Sequence, residues 1–118
     1  VKTGLGRIFR PRAGSVTVAP DCDPDDPVIR AVPPLWQGGE KDEWELLKQC
    51  YAQALALAWE HHCDAVAIPL LTAEDPRFPA YIDYKIAVDT IREFLEEQEM
   101  QIYLVVFDHT SVVLSVIL

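Results

Sequence analysis

Two short apolar runs constrain this chain more than anything else in it. Ala65-Val-Ala-Ile-Pro-Leu-Leu71 and Ile102-Tyr-Leu-Val-Val-Phe107 carry no charged side chain. Each is short for a buried helix and is bounded by turn residues, the pattern of a strand covered on both faces. The longer segments beside them follow a different period. Trp44, Leu47, Tyr51, Leu55 and Ala58 share one helical face, and Asp42 lies three residues before Glu45 in a capping-box spacing, so a helix is expected over about 42–61. Ile82, Ile86, Ile91, Phe94 and Leu95 are expected to face inward from a second helix over about 80–97. Apolar strands alternating with helices imply a layered α/β domain with a largely parallel sheet.

The flanks add further elements. Residues 15–19 alternate and are β-branched, and 28–32 read as a second strand that Pro33 and Pro34 end. The last stretch, 111–118, is expected to be a helix capped by Asp108 or Thr110, although its apolar pattern also fits a strand. Residues 1–14 read as an irregular basic segment at the start of a single domain spanning 1–118. In layered sheets of this kind ligands sit beyond the carboxyl ends of the strands, here Val32–Trp36, Leu70–Pro79 and Phe107–Thr110.

Composition narrows the partners. The formal net charge is -9, from 19 acidic and 10 basic residues. An acidic surface repels a phosphate backbone, so bulk nucleic acid is not an expected partner. A small phosphorylated ligand is compatible with that charge, because backbone N–H groups can hold phosphate. Three cysteines without regular spacing give neither a disulfide framework nor a zinc signature, and a reducing, cytoplasmic setting is expected. The opening Val-Lys-Thr-Gly-Leu-Gly-Arg has no apolar core, so no signal peptide is expected, and no apolar run is long enough for a bilayer-spanning helix. The start at Val1 rather than Met is what part of a longer protein would show.

Three segments, in order, resemble the macro domain family. Val28-Ile-Arg-Ala-Val-Pro-Pro-Leu-Trp36, followed by Gln-Gly-Gly, is similar to the family's V-I-H-A-V-G-P-x-W strand and Gly-rich turn. Glu45-Leu-Leu-Lys-Gln-Cys-Tyr51 through Ala58 resembles the helix E-L-L-x-x-C-Y-x-x-x-L-x-L-A. Asp64-Ala-Val-Ala-Ile-Pro-Leu-Leu71 resembles the strand S-I-A-F-P-x-I, and Ala87–Leu95 and Ile102–Asp108 continue the match. The resemblance covers about residues 28–110 and implies a bacterial-type, three-layer α/β/α domain with a mixed, largely parallel sheet. It also implies binding of ADP-ribose or a related nucleotide, with no cofactor.

The departures from the family pattern bear on that ligand. The opening strands, with an adenine-reading Asp and an Asn-Ala-Ala-Asn segment, have no counterpart here. Lys2–Gly14 fits a remnant of the family's Gly-rich loop, with Gly4 and Gly6 as its glycines, but Pro11 would disturb the helix expected after it. Where the family's phosphate loop reads S-x-G-x-x-G-x-P, this chain has Thr72-Ala-Glu-Asp-Pro-Arg-Phe-Pro79. Glu74 and Asp75 are expected to repel a diphosphate by about 1 kcal/mol each at contact range in water. Arg77 offsets one of them. The resemblance thus assigns ligand contacts to Gly4 and Gly6, to Val32 and Pro33, to Thr72, Ala73, Arg77 and Phe78, and to Phe107 and Asp108.

Other groups carry simpler readings. Adjacent His61 and His62, before Cys63, point apart at a helix end and suit its dipole better than a metal. Glu74, Asp75 and Asp83 have the composition of an acid/base set, but a solvated loop and helix start explains them. Cys50 lies near the apolar face of its helix, where thiols are inert. Three functions follow from the resemblance: a nucleotide-binding module without hydrolase activity; a degenerate domain that has lost the ligand and acts as an interaction module; and, against the missing segments, an ADP-ribosyl hydrolase. Absent opening strands would leave an exposed sheet edge for a second copy or a protein partner.

Overall fold

The computed structural model describes residues 16–18, 28–107 and 112–117, with side chains as far as residue 105. The element order is β1 (Val16–Val18), β2 (Ile29–Ala31), α1 (Glu43–Glu60), β3 (Ala65–Pro69), α2 (Ala80–Leu95), β4 (Gln101–Phe107) and β5 (Val112–Ile117). Both helices and the two apolar strands stand within a few residues of their expected bounds. The described strands form two pieces of sheet, β1-β2 and β3-β4-β5. β3 and β4 are parallel, with Ile68 opposite Leu104, and α2 makes the connection between them. The β1–β2 and β4–β5 pairs are antiparallel, so the arrangement is mixed.

The final segment corrects the helix expected over 111–118. Val112–Ile117 pairs antiparallel with β4 along its whole length, from Phe107 opposite Val112 to Ile102 opposite Ile117. Five of its six residues are Val, Ile or Leu, four of them β-branched, which favours a pleated strand. Asp108 and Thr110, the expected caps, lie outside the described residues.

The core forms where α1 and α2 pack on each other and on the strands. Leu47, Tyr51 and Leu55 of α1, Ala87 and Ile91 of α2, Ile68 of β3 and Ile102 and Leu104 of β4 make one buried cluster. The α1 stripe is as its periodicity predicts. The α2 stripe is rotated by one residue. Asp83, Ala87, Thr90 and Ile91 are buried, while Ile82 and Ile86 are half-buried. Asp83 and Thr90 can lie inside because their polar atoms are bonded there, Thr90 Oγ1 donating to the Ile86 carbonyl at 2.7 Å.

β3 departs from its expected two-sided burial. Ala65, Ala67 and Pro69 are exposed, and only Ile68 is buried. The other apolar run, β4, is sealed at Ile102 and Leu104. Among the described residues β3 has β4 as its one strand partner.

Leu104 sits at full burial between two packed layers, so Leu104→Ala should cost about 2–5 kcal/mol in urea unfolding. Tyr81→Ala, at a side chain 76 % exposed, should stay within about 0.5 kcal/mol.

Candidate functional site

A cavity of about 1680 Å³ runs along β2 and β3, from Val28 and His61 before the strands to the loops beyond their carboxyl ends. Val32, Pro33, Thr72 and Ala73, four of the predicted contact residues, line it together. The loops that bring them there are held by three carboxylates, each doing a different job.

Asp83 is 1 % exposed and lies in the first turn of α2. Tyr51 Oη donates to its Oδ1, and the Thr72 backbone N–H and hydroxyl both donate to Oδ2, the N–H at 2.9 Å. Tyr51 Oη in turn accepts from the Leu71 N–H at 3.0 Å. The end of β3 is thus tied to both helices. Asp83 is not the solvated helix-start residue its sequence position suggests. Burial, and then the adjacent Asp83 charge, push the Tyr51 hydroxyl far above its ordinary pKa, so it remains a donor.

Glu43 caps a loop rather than its helix. Its carboxylate accepts from the N–H groups of Gln37 at 2.7 Å, Gly39 at 2.9 Å and Lys41 at 2.7 Å. Burial alone would raise its pKa, but these donors outweigh that effect and hold it at about 2. Asp42 makes no side-chain cap and sits at φ 61°, so the expected capping box does not form. Gly39, at φ +87°, lies against the indoles of Trp36 and Trp44, and a Cβ there would come within 3.1 Å of Trp36.

Asp75 joins the two loops. Its Oδ2 accepts from the Trp36 N–H at 3.0 Å, and its Oδ1 accepts from the Arg77 N–H at 3.1 Å and from Arg77 Nε at 3.3 Å. The Trp36 donor, then Arg77, hold the Asp75 carboxyl below its usual range against the opposing effect of burial. Its charge is therefore engaged, while Glu74 stays exposed.

The remaining predicted residues lie apart. Phe78 is buried in an aromatic cluster with Trp36 and Trp44, with ring centroids 5.2–5.8 Å apart. Arg77 is exposed beside Asp75. Thr72, among the four that line the cavity, has its hydroxyl turned inward to Asp83. Phe107 ends β4 opposite Val112, and Gly4, Gly6 and Asp108 fall outside the described residues. Cys50 is buried, its thiol donating to the Val32 carbonyl at 3.5 Å and its pKa raised by burial.

The loop after β3 uses most of its own backbone donors. The N–H groups of Ala73, Asp75 and Phe78 bond to the carbonyls of Leu70, Thr72 and Asp75. With Leu71, Thr72 and Arg77 also engaged, these groups do not converge on a shared anion position.

The sequence profile of the family described as Macro domain matches residues 12–87. This chain belongs to the macro domain family. A macro domain-containing protein of Methanosarcina mazei is 38 % identical over 86 residues, 71 % of this chain and 46 % of that protein. The O-acetyl-ADP-ribose deacetylase of Enterobacter sp. is 35 % identical over 98 residues, 81 % of this chain and 54 % of that enzyme. Among solved structures, the Oceanobacillus iheyensis macrodomain with ADP superposes at a TM-score of 0.71 and 25 % identity, over 83 % of this chain and 53 % of that one. The macro domain here spans about half the length of the curated relatives it matches.

Two of the carboxylates give direct tests. Asp83→Ala removes the acceptor of three buried donors and should cost about 3 kcal/mol in urea unfolding, and Tyr51→Phe about 1–2 kcal/mol. The double variant should lose less than the sum. The folded pKa of Glu43 lies below its ordinary 4.5, so its contribution is complete above that pH and disappears as pH falls through about 2. Glu43→Gln should lower stability at neutral pH and flatten the acid-unfolding curve across that window.

Proposed function

We propose that this macro domain binds ADP-ribose or a closely related nucleotide at the cavity beyond β2 and β3. The observation that carries the reading is the convergence of Val32, Pro33, Thr72 and Ala73 on one cavity at the carboxyl ends of two strands, in a chain of this family. Relatives support the ligand: solved macrodomains from Oceanobacillus iheyensis hold ADP and, in a mutant form, ADPR. The engaged backbone donors after β3 imply that the diphosphate is held by few direct N–H contacts. Affinity then rests mainly on apolar burial of the nucleoside, with the exposed Arg77 guanidinium, bonded through Nε to Asp75, as the nearest positive charge on that loop.

A second reading draws on the same loop. Its donors satisfy one another and Glu74 faces solvent, which suits a domain that uses this face for a protein partner instead. Hydrolysis is a third reading. The deacetylase relatives favour it.

Titration calorimetry with ADP-ribose, and with AMP and ADP for comparison, separates these readings. Micromolar binding that is tighter for ADP-ribose than for ADP is the expected result. No heat at millimolar ligand, with folded protein, would reject nucleotide binding. Release of product from O-acetyl-ADP-ribose would establish hydrolysis. Glu74→Gln removes an exposed carboxylate near the expected phosphates and should tighten ADP-ribose binding by about fivefold, an effect that salt diminishes.

A further inference from the structure

Three donors from two loops converge on one internal anion. The Asp75 carboxylate accepts from the Trp36 N–H at 3.0 Å through Oδ2, and from the Arg77 N–H at 3.1 Å and Arg77 Nε at 3.3 Å through Oδ1. Backbone N–H groups beside a guanidinium form a donor set that takes carboxylate and phosphate alike. The Trp36 donor first, and Arg77 after it, keep this carboxyl ionised. Asp75 lines the cavity, as do Leu35 and Gln37 on either side of Trp36, whereas Trp36 and Arg77 do not. The carboxylate thus stands at the cavity wall in front of its donors. The loops do not depend on it to stay together. Trp36 packs on Phe78 with ring centroids 5.3 Å apart, and Phe78 is buried. The Asp75 N–H bonds to the Thr72 carbonyl, and the Asp75 carbonyl accepts from the Phe78 N–H, both at 3.0 Å. Aromatic and backbone contacts therefore hold the loop, and a change of the Asp75 side-chain rotamer takes the carboxylate off its donors without moving the backbone.

We propose that Asp75 is a tethered competitor: it fills an oxyanion subsite made by Trp36 and Arg77, and an incoming phosphate group takes its place by exchange. For a nucleotide this rests on the binding reading above, and it adds how a diphosphate is received by a loop whose other N–H groups are engaged. The exchange swaps one acceptor for another. Phosphate oxygens take the three donors, the Asp75 carboxylate turns to water, and no donor is left without a partner. A tethered group acts at a high effective concentration, so a free anion has to outcompete it. The subsite therefore refuses simple phosphate and admits a phosphate whose attached nucleoside gains further contacts in the cavity. If Asp75 were only a brace, its loss would loosen the loops and weaken anion binding. Exchange makes the opposite prediction.

The test follows the backbone amides of Trp36 and Arg77 by heteronuclear NMR of the full chain. Inorganic pyrophosphate is the first probe. In Asp75→Ala it should shift both amides saturably and bind at least about tenfold more tightly than to the unaltered chain. That gain should exceed the about fivefold effect expected of Glu74→Gln, which removes a charge from the same loop, and should persist in high salt. Asp75→Asn keeps an oxygen for the Trp36 N–H and decides the matter if the alanine variant does not fold. In it, pyrophosphate should shift the Arg77 amide alone. The inference is overturned if a folded Asp75 variant takes up no pyrophosphate at these amides, or binds it more weakly than the unaltered chain does. ADP-ribose is the second probe, and in the unaltered chain it should move the same two amides. If it binds by calorimetry yet leaves both unmoved, the exchange is overturned and nucleotide binding stands. If it does not bind, the nucleotide reading fails and pyrophosphate still decides the exchange.

Discussion

A carboxylate that is 1 % exposed must find donors or lose its charge, and Asp83 finds three. Those donors come from Tyr51 in the middle of α1 and from Thr72, three residues beyond the end of β3. The pairing therefore sets the distance between the helices, the exit direction of β3 and the start of α2 together. Hydrogen bonds to an ionised group are about twice as strong as neutral ones. In a core of modest size, this one network locates a loop that apolar contacts alone would leave free. Glu43 and Asp75 extend the same principle outward. Glu43 gathers the turn before α1, and Asp75 fastens that turn to the loop after β3. The face beyond the strands is built from backbone donors folded onto internal carboxylates.

This arrangement changes the meaning of the acidic residues near the site. Two carboxylates where a diphosphate approaches look prohibitive in the sequence. One of them, Asp75, is bound to Trp36 and Arg77, and its field is largely spent within the loop. Glu74 alone stays exposed. The electrostatic obstacle to an anionic ligand is thus about half of what residue counting suggests. The cost appears elsewhere: donors that fold the loop are not available to a phosphate.

Much of the fold was legible because periodicity reports burial directly. The α1 stripe from Leu47 to Ala58 stands as its pattern implies, and the two apolar runs form β3 and β4, although β3 is buried only at Ile68. The polar core was not legible, since hydropathy counts a carboxylate as surface. A geometric signal was present nonetheless. Stepping back from Leu47 and Tyr51 by one helical turn reaches Glu43, and stepping back from Ala87 and Ile91 reaches Asp83. Both carboxylates lie on buried stripes and next to loops rich in free N–H groups. The strand at 112–117 was misread as a helix because a short apolar run fits both periods, and only its partner β4 decides between them. Of the candidate site, four residues on two strand ends could be placed together from sequence order. That Phe78 belongs to the aromatic cluster could not be read, because it depends on where two separate loops meet.

The cluster of Trp36, Trp44 and Phe78 joins the loop after β2 and the first turn of α1, eight residues apart, to the distant loop after β3. Two of the chain's three indoles sit at that junction, partly shielded from water, while Trp59 is exposed further along α1. The protein therefore carries an intrinsic optical probe where the loops after β2 and β3 meet. Tryptophan emission from the junction should differ in colour and in quencher access from that of Trp59, so movements of the loops become visible without any attached dye.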